Sequence, residues 1–171
     1  KTIIIGGSSG LGLVLYEFLN KNKFDVDITY NSKKLINQKN CFHLNNRSSK
    51  KKLDKLKEYD FIHFFASPKI FNLKANYFDN LELKKFNDIY LDFFIKIVKI
   101  LIFSKKKYKI FVPSTSMIGN SLENIEYISS KKTLETVCKI INKNAKNIKI
   151  MNPRLEAYHT ENTRFFLSTQ S

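Results

Sequence analysis

Ile3-Ile4-Ile5-Gly6-Gly7-Ser8-Ser9-Gly10-Leu11-Gly12 decides the reading of this chain. Three β-branched residues in a row suit a strand buried on both faces, and the glycines that follow let the backbone enter φ > 0 and turn straight into a helix. Beyond Gly10, the residues Leu11, Val14, Leu15, Phe18 and Leu19 repeat at i, i+3, i+4, i+7 and i+8, the stripe of a helix laid on a sheet. A strand, a glycine turn and a helix N-terminus in that order leave backbone N–H groups and the positive end of the helix dipole facing an anion such as a diphosphate. Gly6, Ser8, Ser9, Gly10, Leu11 and Gly12 are the expected binding turn.

Working outward, apolar runs rich in β-branched and aromatic residues recur at 24–30, 41–44, 61–65, 109–113 and 148–152, and helical patterns fill 50–59, 83–104 and 124–144. That alternation predicts β-α-β units in one domain over residues 1–171. The expected fold class is α/β, a Rossmann-like doubly wound parallel sheet of about six strands in the order 3-2-1-4-5-6 with helices on both faces. Within 83–104, Phe86, Tyr90, Phe93, Phe94, Ile97 and Leu101 belong to an apolar face wider than one sheet contact needs. Such a width predicts a homo-dimer or tetramer joined through helices 83–104 and 124–144.

Composition removes several alternatives. The net charge of +15, from 30 Lys and Arg against 15 Asp and Glu, is nearly all Lys. It accompanies an excess of Asn, Ile and Phe, and all four residue types have A- and T-rich codons, so mutational bias accounts for it and no nucleic-acid partner is expected. Cys41 and Cys138 lie far apart, without C-x-x-C or zinc-type spacing, which predicts free thiols, no metal and a cytoplasmic location. The start at Lys1 runs at once into the glycine turn, so no signal peptide is expected. Residues 93–103 are interrupted by Lys96 and Lys99, so no membrane partner is expected.

The spacing G-x-x-x-G-x-G, from Gly6 through Gly10 to Gly12, resembles the short-chain dehydrogenase/reductase motif T-G-x-x-x-G-x-G, with Ile5 in the place of Thr. Further along stands Tyr127-Ile128-Ser129-Ser130-Lys131, a Y-x-x-x-K whose ends share one helix face, and the strand at 109–113 delivers Ser114 ahead of it. A phenol titrates near pH ~10, and a neighbouring cation is what makes it a usable proton shuttle at neutral pH. The resemblance implies an NAD(P)-dependent oxidoreductase acting on a small-molecule carbonyl or alcohol. In that scheme Tyr127 passes a proton to the carbonyl, Lys131 holds ribose hydroxyls and depresses the Tyr127 pKa, and Ser114 hydrogen-bonds the carbonyl oxygen, with Ser116 as the fallback.

The second strand ends in Thr29-Tyr30-Asn31-Ser32-Lys33-Lys34, where an acidic residue would select NAD. Its absence favours NADP(H) over NAD(H), with Asn31, Ser32 and Lys33 at the ribose. Phe64-Phe65-Ala66-Ser67 stands where the family has N-N-A-G, leaving Ala66 and Ser67 to border the cofactor. The resemblance also puts Phe93 in the place of a relay Asn, with Asp92 beside it, and Pro153 and Thr160, or Thr163, at the nicotinamide. For Arg154 a salt bridge is preferred over an anionic ligand. Relatives continue into a substrate-binding lobe, which is short or missing here. Two other readings stay open: a diverged nucleotide-binding sensor or scaffold, and a sugar-nucleotide epimerase or dehydratase.

Overall fold

β1 (Thr2–Ile5) forms because an uninterrupted Ile run fits a strand with both faces covered, and alternation then sorts its side chains. Ile3 and Ile5 enter the larger apolar core, while Ile4 joins a smaller one with Tyr16, Val26 and Ile28. The computed structural model describes residues 1–32, 35, 40–69, 78–120 and 124–156. Around β1 lie β2 (Val26–Tyr30), β3 (Cys41–His43), β4 (Phe61–Phe64), β5 (Tyr108–Phe111) and β7 (Ile148–Met151) in a six-stranded sheet of order β3-β2-β1-β4-β5-β7. Every pairing is parallel. This is the expected Rossmann-like order. Its last strand carries a higher number only because a two-residue strand, β6 (Ser114–Thr115), intervenes and pairs with β8 (Arg154–Leu155).

Pro113 and Pro153 separate the small ladder from the main sheet, since neither has an N–H to extend it. The carbonyl of Pro153 still accepts from the Ser114 N–H at 2.8 Å, and the Asn152 side chain caps the Val112 carbonyl at 2.6 Å. The backbone that carries the hydroxyl-bearing run at 114–116 is thereby pinned to the strand end.

α1 (Gly10–Lys21) packs beside β1 and β2 on the Ile4 face, through only part of the expected stripe: Leu15 and Leu19 join that core. Val14 and Phe18 are 60% and 61% exposed, while Gly12 and Tyr16 are buried. The cause is Gly12: a Cβ there would lie 2.6 Å from the Gly6 carbonyl oxygen, so the helix turns its bare side inward and carries Tyr16 with it.

The other face of the sheet holds α2 (Lys50–Asp54), α3 (Asn80–Asn87), α4 (Phe94–Ile102) and α5 (Ile125–Asn144). The helix expected over 83–104 is broken by a wide π-helical turn at Asp88–Phe93, of the kind that re-aims side chains inside a helix. Tyr90 and Phe93 within that turn, and Phe94 directly after it, are all essentially fully buried, and the two Phe rings meet Phe64 at 5.7 and 5.3 Å. The buried residues of this apolar face pack inside the chain, against the sheet on one side and α5 on the other, while Ile102 and Phe103 at its end stay exposed. Among the described residues, no helix is long and apolar enough to cross a membrane, and no cluster of His, Cys, Asp and Glu could hold a metal ion.

Candidate active site

The turn after β1 is shaped by backbone. Gly6 has φ +80 and Gly10 φ +54, both in the left-handed region, and a Cβ on Gly6 would sit 2.6 Å from the Ala66 nitrogen. The turn is therefore locked against the chain leaving β4. The Gly6 N–H donates to the Thr29 hydroxyl and the Gly7 N–H to the Thr29 carbonyl, each at 3.1 Å, tying it to β2 as well. Ser9 is the N-cap of α1 in extended conformation, its hydroxyl caps no N–H, and no acid stands in the first turn. These are the conditions under which a helix N-terminus favours an anion. Ser8 is buried beneath the turn, and Gly12 holds the helix against it.

From Ala66 the contacts continue along side chains. The Ser67 hydroxyl meets the Tyr90 hydroxyl, and the Tyr90 ring lies under Lys131, whose Nζ is 4.0 Å from the ring centroid. Lys131 donates to the Pro113 carbonyl at 2.8 Å and is 6% exposed. Tyr127, 8% exposed, stands a helical turn away with its ring edge-on to both Phe86 and Tyr90, and its ring centroid is 5.8 Å from Nζ. Tyr127 and Lys131 are thus brought together at the carboxyl ends of β4 and β5.

The electrostatics differ from the resemblance's scheme. Burial pushes the Tyr127 phenol above its ordinary value, opposed by a hydrogen bond with the Thr115 side chain. Burial also lowers the Lys131 ammonium to about 7, opposed by the influence of Cys138. Each group is moved toward its neutral form because each has left water, and the lysine sits too deep and too well occupied to pull the phenol down.

Ser114 also lies elsewhere than the resemblance implies. Its hydroxyl donates to Glu135 at 2.8 Å, and Glu135 is gripped by Arg154 through Nε at 2.8 Å and Nη2 at 2.9 Å. Arg154, with Ser114 second, holds that carboxyl below its usual range. The hydroxyl that meets the phenol belongs to Thr115, because successive residues of an extended strand point to opposite sides. Phe93 packs on Phe64 in the core and is not the α3–α4 residue that faces Lys131; that residue is Tyr90. The Asn31 side chain accepts from Asn45 at 3.0 Å beside β3, and Ser32 is exposed at the end of β2. Lys33, Thr160 and Thr163 lie outside the described residues.

Sequence reasoning passed over Tyr90, Thr115 and Glu135. Tyr90 hides in an apolar stripe where its hydroxyl is the only signal, Thr115 stands between two serines that were both weighed, and Glu135 is one turn beyond Lys131 on the same helix.

No family model matches the chain, and no curated protein matches it. Solved structures do. A short chain dehydrogenase family protein from Francisella tularensis superposes with a TM-score of 0.80 at 20% identity, covering 99% of this chain and 74% of that one. A short chain dehydrogenase from Burkholderia cenocepacia in complex with NADP gives 0.77 at 13% identity over 96% of this chain and 75% of that one. UDP-glucose 4-epimerase from Thermus thermophilus, in complex with NAD, gives 0.69 at 14% over 90% and 54%. At such identities the likeness shows the fold: the chain has the short-chain dehydrogenase/reductase fold. The residues present fit a dinucleotide at its diphosphate end, where the Gly6–Gly12 turn and the uncapped α1 supply backbone donors.

Proposed function

We propose that the chain is an NAD(P)-dependent oxidoreductase that reduces a carbonyl, or oxidises a secondary alcohol, on a small molecule. What carries the reading is one continuous line of contacts, from the glycine turn through Ala66, Ser67 and Tyr90 to Lys131 beside Tyr127. Crevices at the carboxyl ends of parallel strands are where such sheets bind ligands. Bound there, the nicotinamide coenzyme supplies the hydride. The turn's N–H groups hold the diphosphate, and Ala66 and Ser67 border the adjoining ribose. Tyr127, which burial keeps protonated, gives its proton to the carbonyl oxygen, and Thr115 holds the phenol oxygen in place. Lys131 steadies the ribose hydroxyls. NADP(H) is the preferred coenzyme in this proposal, because β2 ends in Asn31, Ser32 and Lys33 without an acid. A cytoplasmic location and self-association through α3–α4 and α5 belong to the same proposal, the first supported by two free cysteines.

A second reading, a nucleotide-binding module without turnover, is favoured by one observation: Ser114 is committed to Glu135 and the phenol is pushed up rather than down. Fluorescence titration with NADPH and NADH, followed by turnover on a panel of ketones and acyl thioesters, separates the two. The oxidoreductase binds NADPH and turns over, and Tyr127→Phe keeps the binding and loses the turnover. Binding with no turnover across the panel selects the second reading, and binding of neither coenzyme overturns both.

A further inference from the structure

Lys131 is a buried ammonium with no carboxylate partner among the described residues. Glu135, the acid one helical turn on, is taken by Arg154 and Ser114. What compensates the ammonium is the Pro113 carbonyl at 2.8 Å and, foremost among the rings, Tyr90, whose centroid lies 4.0 Å from Nζ against 5.8 Å for that of Tyr127. An aromatic face is the negative end of the ring quadrupole, and a cation this close to it, away from water, gains the most from it. The ring is itself held on three sides. Phe86 lies parallel to it at 6.0 Å and 7°, Tyr127 meets it edge-on at 6.0 Å and 61°, and its hydroxyl is tied to Ser67. It is 1% exposed and sits in the π-helical turn that breaks the long helix.

We propose that Tyr90 is the positioning residue for Lys131: its ring face holds the ammonium beside Tyr127, and the Ser67 hydroxyl fixes the angle of the ring. The consequence for turnover rests on the oxidoreductase reading, whereas the Tyr90–Lys131 coupling does not. The titratable groups facing Lys131 are the phenols of Tyr90 and Tyr127 and the Cys138 thiol, and burial pushes all three up, the thiol to about 12. None of them ionises where Lys131 titrates, so the lysine's own titration reports on the ring.

The test follows Lys131 directly, by 13C-labelled lysine Cε resonances assigned with Lys131→Met. Three proteins are compared: the natural chain, Tyr90→Phe, and a chain carrying pentafluorophenylalanine at position 90, which keeps the ring's outline and inverts its quadrupole. Tyr90→Phe is expected to leave the Lys131 midpoint within ~0.3 pH unit, and the fluorinated ring to lower it by about one unit, tenfold in proton affinity. An unmoved midpoint with the fluorinated ring overturns the proposal, as does an equal fall in Tyr90→Phe, which would trace the effect to the hydroxyl. NADPH titration of the same proteins keeps the two readings apart. A shifted midpoint in a chain that binds no coenzyme upholds the role of Tyr90 and ends the oxidoreductase reading, while coenzyme binding with an unmoved midpoint overturns the role of Tyr90 and leaves that reading to the turnover assay. Where both hold, turnover at pH 7 falls about fivefold with the fluorinated ring, following the lost ammonium.

Discussion

The two ends of the crevice are made of different material. At the end proposed for the diphosphate the parts are backbone: Gly6 and Gly10 in the left-handed region, Gly12 against the Gly6 carbonyl, and an uncapped helix start. At the Tyr127 end they are side chains drawn from the β4 exit, the π-helical turn, β6 and α5, with Ser67, Tyr90, Thr115, Tyr127 and Lys131 all dependent on packing. Backbone geometry requires glycine at fixed places and little else, so it is readable and unforgiving. A side-chain constellation can exchange members while keeping its form, and here a Tyr faces Lys131 and a Thr faces the phenol.

The largest effect that would sharpen this contrast is on the side-chain end. Tyr127→Phe is expected to cut turnover by about 100-fold to 10,000-fold, the usual yield of a positioned proton donor, with NADPH affinity within about twofold. A variant that retains turnover breaks the assignment of Tyr127 as donor.

On the backbone end, Gly6→Ala places a Cβ 2.6 Å from the Ala66 nitrogen at φ +80, where neither neighbour can yield. A loss of about 3 kcal/mol in urea denaturation is expected, together with coenzyme affinity. A normal denaturation midpoint would show that the turn is softer than described.

Glu135→Gln tests what holds the 114–116 run. It removes the charge that Arg154 and Ser114 share, and about 2 kcal/mol of stability is expected to go with it, since Arg154 remains partly in water. Coenzyme binding at the glycine turn, far along the crevice, should change little. Equal damage at both ends would contradict their independence.

A smaller effect reads the buried ammonium. Lys131 titrates at about 7 in the folded chain against an ordinary value of 10.5, so above pH 7 the unfolded chain binds the extra proton and stability rises with pH. The slope attributable to Lys131 is at most ~1.4 kcal/mol per pH unit, between pH 7 and about 8.5. Above that the unfolded Cys138 thiol begins to ionise while the folded one is held up, which offsets the Lys131 contribution, and the rise levels off. Denaturation midpoints across this window should rise in the natural protein and flatten in Lys131→Met.

The same division explains what the amino-acid order disclosed. The strand–glycine–helix unit, the parallel sheet and its strand order were legible because each follows from periodicity or from a glycine that cannot be replaced. The stripe of α1 was read in part, since Leu15 and Leu19 reach the core, but Val14 and Phe18 fit the helical period and stay exposed because a glycine, Gly12, chose the buried side. The π-helical turn at Asp88–Phe93 keeps to the helical apolar period and has no marker of its own in the sequence. In the candidate site, Tyr127 and Lys131 were legible from their spacing on one helix. The partners of that pair were not, because the directions of Ser114, Thr115 and Tyr90 depend on a strand register and a helix break that only the packed chain defines.

The central claim, that a nicotinamide dinucleotide lies across this crevice with its diphosphate on the glycine turn, is tested most directly by NADPH fluorescence titration of the natural chain beside Gly12→Ala. A Cβ at Gly12 would fall 2.6 Å from the Gly6 carbonyl oxygen and push α1 off the turn. Saturable binding that disappears in Gly12→Ala is the result expected. Binding that is absent from the natural chain, or that persists unchanged in a folded Gly12→Ala, would contradict it.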